Sequence, residues 1–121
     1  MNKASTNDIS EVYQFKAKEY KTILATATYS SNQTATKIID APGENKRIVI
    51  TYLAFRSAAN TGTAYINDGV RNIGTTYFEA QKDLSASNVL VDCAENAAIT
   101  VTTTTGSVGM TVAILYHIEE A

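Results

Sequence analysis

Few residues in this 121-residue chain could act on a substrate, and their spacing keeps them apart. His117 is the only histidine and Cys93 the only cysteine. A general base works with a nearby nucleophile and an orienting carboxylate. His117 instead falls between apolar residues of an alternating run, which turns it outward or into an interface. A nucleophilic thiolate needs an activating neighbour. Cys93 follows Asp92 and precedes Ala94-Glu95, so it reads as a small buried side chain, with no disulfide partner in the chain. Asp92 with Glu95, or Asp68 with Asn67, offers oxygens to a hard cation, but the spacing of a calcium loop is absent. The six glycines are scattered, so no loop is built to cradle phosphate. Asn32-Gln33-Thr34 matches a glycosylation triplet, which carries weight only in a secreted chain. Thr102 to Thr105 could form a contact tip, although threonine equally suits exposed strand positions. These residues assign no catalytic, cofactor or metal site and no enzyme activity.

Composition narrows the partners. The length suits one domain with its own core. The net charge is −2. Residues 1–21 hold four lysines and three acids, whereas the remainder holds six basic and nine acidic residues. The basic stripe with interleaved aromatics that nucleic-acid binding calls for is missing. No run approaches the ~20 apolar residues of a membrane helix, and residues 1–20 lack the apolar region of a secretory signal. Neither nucleic acid nor membrane is therefore an expected partner.

The elements that must position these residues read as strands. Thr22–Tyr29, Ala35–Asp40, Arg47–Phe55, Asn88–Asp92, Ala97–Thr103 and Val108–Ile118 carry the β-branched and alternating patterns of strands. Thr63–Ile66 and Val70–Ile73 flank Asn67-Asp68-Gly69, a hairpin signal. Gly74–Asp83 is less regular, with Thr76–Phe78 able to pair, and Leu84–Asn88 reads as a polar connection. About eight short strands with frequent turns and no long helix predict an all-β, antiparallel β-sandwich, jelly-roll-like.

Arg47–Phe55 is the centre of this reading. Strict alternation puts Ile48, Ile50 and Tyr52 on one face and Val49, Leu53 and Phe55 on the other, so both faces are apolar. One face belongs to the core. The other needs cover from the N-terminal segment, a loop or another subunit. Ile48, Ile50 and Tyr52, with Leu115 and His117 of the last strand, are the candidate subunit contacts. Residues 1–21 form a separate arm or docking segment ahead of a sandwich at 22–121. Ile9, Val12, Tyr13, Phe15 and Tyr20 give the arm large apolar side chains, in a spacing that fits a short helix or a strand.

Ile38 to Leu53 contains an Ala-Pro, polar turn, Lys-Arg and Ile-Val-Ile passage leading into a strand. With the Asn67-Asp68-Gly69 hairpin and the ending Gly109 to Tyr116, it resembles small β-sandwich virion proteins of tailed bacteriophages over residues 35–118. The resemblance implies a capsid decoration, or cement, protein on the virion's capsid surface, assembled in the host cytoplasm. It implies a homotrimer that braces neighbouring major capsid protein subunits through Ile9, Val12, Tyr13, Phe15 and Tyr20. A tail, fibre or baseplate component is the alternative position. A carbohydrate-binding module using Tyr29, Tyr65 and Tyr77 is the alternative class, against which the absence of tryptophan counts.

Overall fold

The computed structural model describes residues 20–57, 62–78, 84–104 and 110–121. Ile9, Val12, Tyr13 and Phe15, with the arm assigned to them, lie outside the described residues. Eight strands run in chain order: β1 Ile23–Tyr29, β2 Gln33–Ile39, β3 Lys46–Ser57, β4 Gly62–Asn67, β5 Asn72–Phe78, β6 Leu84–Glu95, β7 Ile99–Thr103 and β8 Met110–Glu120. They form two four-stranded antiparallel sheets. Sheet A has the order β1-β8-β3-β6 and sheet B the order β2-β7-β4-β5. Only β4 and β5 are both consecutive and paired; every other connection crosses between sheets. That wrapping is the jelly-roll form of a β-sandwich, as the strand pattern predicts.

The core lies between the sheets. β8 alternates buried Met110, Val112 and Ile114 with outward residues, and β7 contributes Ile99 and Val101. β4 adds Ala64 and Ile66, and β6 adds Cys93. Each large side chain so buried contributes roughly 1.5–3 kcal/mol relative to leaving it exposed.

β3 departs from strict alternation. Ile50 pairs with Tyr116 of β8, but Tyr52 pairs with the next partner residue, Leu115. Thr51 is the extra residue of a bulge, and its hydroxyl donates to the Leu115 carbonyl at 3.3 Å. One extra residue reverses the facing of everything after it. Ile48, Ile50, Leu53 and Phe55 therefore all enter one core, and Tyr52 turns out. The expected grouping of Ile48, Ile50 and Tyr52 on one face is corrected. Ile48 and Ile50 are wholly buried within the single chain, so they leave no surface for a subunit contact.

Two strand boundaries also differ. Val70 and Arg71 belong to the β4–β5 turn, and the second strand of that hairpin runs from Asn72 through Phe78. Leu84–Asn88 opens the long edge strand β6 and is not a connection. At Gly74 a register shift lets β5 bulge; the residue has φ +66°, and a Cβ there would run into the end of Leu53. The corner before β3 is tied to the β6–β7 turn, with Asn96 Oδ1 accepting from Gly43 N at 2.9 Å and Glu95 Oε2 from Asn45 N at 3.1 Å.

Candidate interaction surface

The two outer faces of the sandwich differ in chemistry. Sheet B presents Lys37, Thr100, Thr102, Thr63, Asn67 and Asn72, with Tyr65 and Tyr77. Its threonines are occupied locally. Thr102 Oγ1 accepts from Ala35 N at 3.1 Å, and Thr104 Oγ1 accepts from Thr63 N at 2.9 Å. Buried Thr103 takes Gln33 N at 3.1 Å from the inner side. These residues seal β7 to β2, where strand pairing is irregular, and to the start of β4, which gives Thr102–Thr104 a structural use. Thr105 lies outside the described residues.

Sheet A presents an apolar outer face. Registered pairing sets its side chains in rows across the strands. One row is large: Leu24, Leu115 and Tyr52, ending at Asn88 on β6. The next is small: Thr26, Ala113, Ala54 and Ala86. Beyond it run Thr28, Thr111, Arg56 and Leu84. Leu24 is 61 % exposed, Leu84 65 % and Leu90 79 %. These leucines, with Tyr52 and the alanines between them, are set among Thr26, Thr28, Thr111, Asn88 and Arg56, and exposed apolar side chains gathered on one face make it a candidate contact surface.

His117 lies on the same face, one row beyond Leu115 and paired with Val49. Tyr20 stacks on its ring, with centroids 4.6 Å apart and planes inclined by 9°. His117 Nε2 lies 2.6 Å from Glu119 Oε2. The imidazole is thus held by a ring and a carboxylate of its own chain. Val49 beneath this end is completely buried although it points away from the core cluster, and Ala54 is 8 % exposed. Val49 and Ala54 are thus covered within the chain, whereas Tyr52 stays half-exposed and Arg56 exposed on the outer face. Of the residues proposed from sequence, Tyr20, Tyr52, Leu115 and His117 share the outer face of sheet A, while Ile48 and Ile50 lie beneath it.

The remaining chemical candidates serve the fold. Asp68 is 2 % exposed and accepts from Val70 N, Arg71 N and Ala94 N, each at 3.0 Å. Burial pushes its carboxyl up, but the three N–H groups and the nearby Arg71 charge outweigh burial and hold it below the usual carboxylate range. Arg71 also donates from Nη2 to the Asp92 carbonyl at 2.8 Å. Together they rivet the β4–β5 turn onto β6 beside a shallow cleft of about 280 Å³. Cys93 lies against this cleft. Burial first, then the Asp68 and Asp92 charges, push its thiol up to about 12, so it remains protonated and unreactive at neutral pH. Among the described residues no three His, Cys, Asp or Glu side chains converge as metal ligands. Tyr29 packs against the core, apart from Tyr65 and Tyr77, so the three tyrosines do not form one platform.

Sequence reasoning located His117 outside and Cys93 inside, but missed the apolar rows and Asp68. The rows need the strand order, which no local pattern carries. The Asn-Asp-Gly turn was a signal for Asp68, but its third donor lies 26 residues away in Ala94.

No protein-family model matches the chain, and no curated protein matches it. Solved structures do. A chain of the acid-stable capsid of Helicobacter pylori bacteriophage KHP30 aligns with TM-score 0.57 and 11 % identity, over 85 % of this chain and 95 % of that one. The globular domain of zebrafish complement 1qA protein aligns with TM-score 0.51 and 5 % identity, over 85 % and 100 %. A chain of the cyanophage Pam1 capsid overlaps less closely, with TM-score 0.46 and 16 % identity over 82 % and 84 %. At such identities the likeness is one of fold, a jelly roll shared with the KHP30 capsid chain and with the complement domain.

Proposed function

We propose that this chain is a structural protein of a virion: a capsid decoration protein that associates with its own copies, as a trimer, and braces neighbouring major capsid protein subunits on a phage head. The observation that carries this reading is the set of exposed apolar side chains, Leu24, Leu84 and Leu90 with half-exposed Tyr52 and Leu115, on the outer face of sheet A. A small sandwich with one greasy face and no assembled catalytic group among its described residues is suited to contact. The jelly roll of the KHP30 capsid chain supports a place in a shell as a matter of fold. Repetition on a lattice would multiply weak contacts into firm attachment. Ile9, Val12, Tyr13, Phe15 and Tyr20 are the side chains proposed to reach the capsid protein, with assembly in the host cytoplasm.

The test is direct. Purified protein is mixed with expanded phage heads and the bound fraction is measured by co-sedimentation, while light scattering gives the mass of the free form. Saturable binding at a fixed ratio to major capsid protein supports the reading; absence of binding to heads overturns it. Labelled virions viewed by electron microscopy separate a head position from a tail, fibre or baseplate one.

A further inference from the structure

We infer that the outer face of sheet A is a twofold contact between two copies of this chain, with the large row of each seated on the small row of the other. The inference rests on the assembly reading above and specifies the surface used.

The face is self-complementary. Leu24, Leu115 and Tyr52 form a ridge, and Thr26, Ala113 and Ala54 form the neighbouring trough. Rows on one face repeat about every 6.8 Å, two residues of strand rise. A twofold axis running across the strands between ridge and trough keeps each strand opposite its own copy and exchanges the two rows. Leu115 then meets the partner's Ala113, and Tyr52 meets the partner's Ala54. An isologous contact requires just such a surface, in which one patch serves both sides. The same operation sets Arg56 over the partner's Val49, one strand across from the partner's Asp92. Arg56 is exposed and pairs with no described residue, and Asp92 is engaged only at 3.9 Å by Arg47.

The size of the patch sets the strength. Four strands about 4.8 Å apart and four rows give a flat area of roughly 500 Å² per copy. Roughly 1,000 Å² in all is the range of weak, transient interfaces. Isolated copies should thus associate only at high concentration, and lattice repetition would stabilise the pair.

Sedimentation equilibrium of the full chain from about 10 μM to 1 mM is the experiment. Mass should rise toward an even multiple of one chain, whether that is a dimer or two threefold rings face to face. Leu24→Glu, at an exposed position where folding is undisturbed, should weaken association at least tenfold, and Ala113→Glu should do the same with circular dichroism unchanged. Tyr77→Glu on sheet B should leave it intact. A full chain with Ile9, Val12, Tyr13 and Phe15 all changed to Ser should pair as the wild type does. A wild type that stays monomeric at 1 mM, an odd limiting mass, or pairing indifferent to Leu24→Glu overturns the inference; so does loss of pairing only in the serine variant, which would make the N-terminal segment the occupant. Wild type that pairs but ignores phage heads sinks the virion reading alone. A monomer that binds heads sinks the pairing and the trimer but leaves attachment to the head standing.

Discussion

Asp68→Ala should be among the most damaging substitutions outside the core. The side chain is nearly inaccessible and accepts three backbone N–H groups from two parts of the fold. Hydrogen bonds to a charged group contribute roughly 1.5–3 kcal/mol each. Val70 and Arg71 sit in an exposed turn, so water recovers most of what their amides lose. The part-buried Ala94 amide in β6 has no such recourse, and Arg71 loses its anionic partner. The expected loss is about 3 kcal/mol, dominated by the orphaned donor. For a chain of this length that corresponds to a fall in Tm of roughly 10 °C. Urea unfolding followed by circular dichroism measures it. A loss below about 0.5 kcal/mol would refute the claim that Asp68 rivets the hairpin to sheet A, since ordinary surface changes reach that size.

The sign of the pH dependence follows from the same carboxylate. Its folded pKa is depressed, so its contribution is fully present above the unfolded value of about 3.9 and disappears as pH falls through the folded value below it. Asp68→Asn removes that titration. The stability gap between wild type and Asp68→Asn should be widest at pH 7 and narrow progressively below about pH 4. A gap that is level from pH 7 to pH 2.5 would show that the charge of Asp68 does nothing for the fold.

Three further outcomes test other parts of the structure. Ile50→Ala should destabilise by about 3 kcal/mol and Tyr52→Ala by less than about 1.5, because the Thr51 bulge places one in the core and the other outside; equal losses in urea would contradict the bulge. Gly74→Ala should lower stability by about 1–2 kcal/mol, from a positive φ and from pressure on Leu53, again read by urea unfolding. Cys93 should resist a thiol reagent in the native protein at pH 8 and react at once in denaturant; rapid native labelling would contradict its burial and raised pKa.

The fold was legible wherever burial on one side only enforces alternation. β8 shows this, with Met110, Val112 and Ile114 facing in and Thr111, Ala113 and Leu115 facing out. β1 alternates equally plainly. The bulge was illegible because Ile50-Thr51-Tyr52-Leu53 has bulky side chains at both parities, so one extra residue leaves no trace in the pattern. Leu84–Asn88 escaped for the opposite reason. An edge strand packs on one side only, and Ser85, Ala86 and Ser87 spell small and polar whether paired or free. On the candidate surface, Leu115 and His117 could be assigned outward from their own strand. Their neighbours Leu24, Ala54 and Ala86 come from three other strands, and only sheet order brings them together.

That relocation changes the physical basis for assembly. A doubly apolar β3 predicts a demand for another subunit, yet the bulge folds four of its large residues into one core, and Val49 and Ala54 are covered by the chain. The unmet burial has moved to the surface made by all four strands of sheet A. β6 sharpens the point. As an edge strand it would ordinarily carry lysine, arginine or proline to discourage pairing with other chains, and Leu84–Glu95 contains none of them. Its Leu84 and Leu90 instead extend the apolar face to the rim. Asp68 and Arg71 nevertheless cap this strand at the Ala94 amide and the Asp92 carbonyl, and register shifts interrupt its pairing with β3, so its apolar side chains, more than its backbone, are what it offers another chain. Sheet B exposes Tyr77 in turn, so the two faces differ in how many apolar side chains they gather, not in kind.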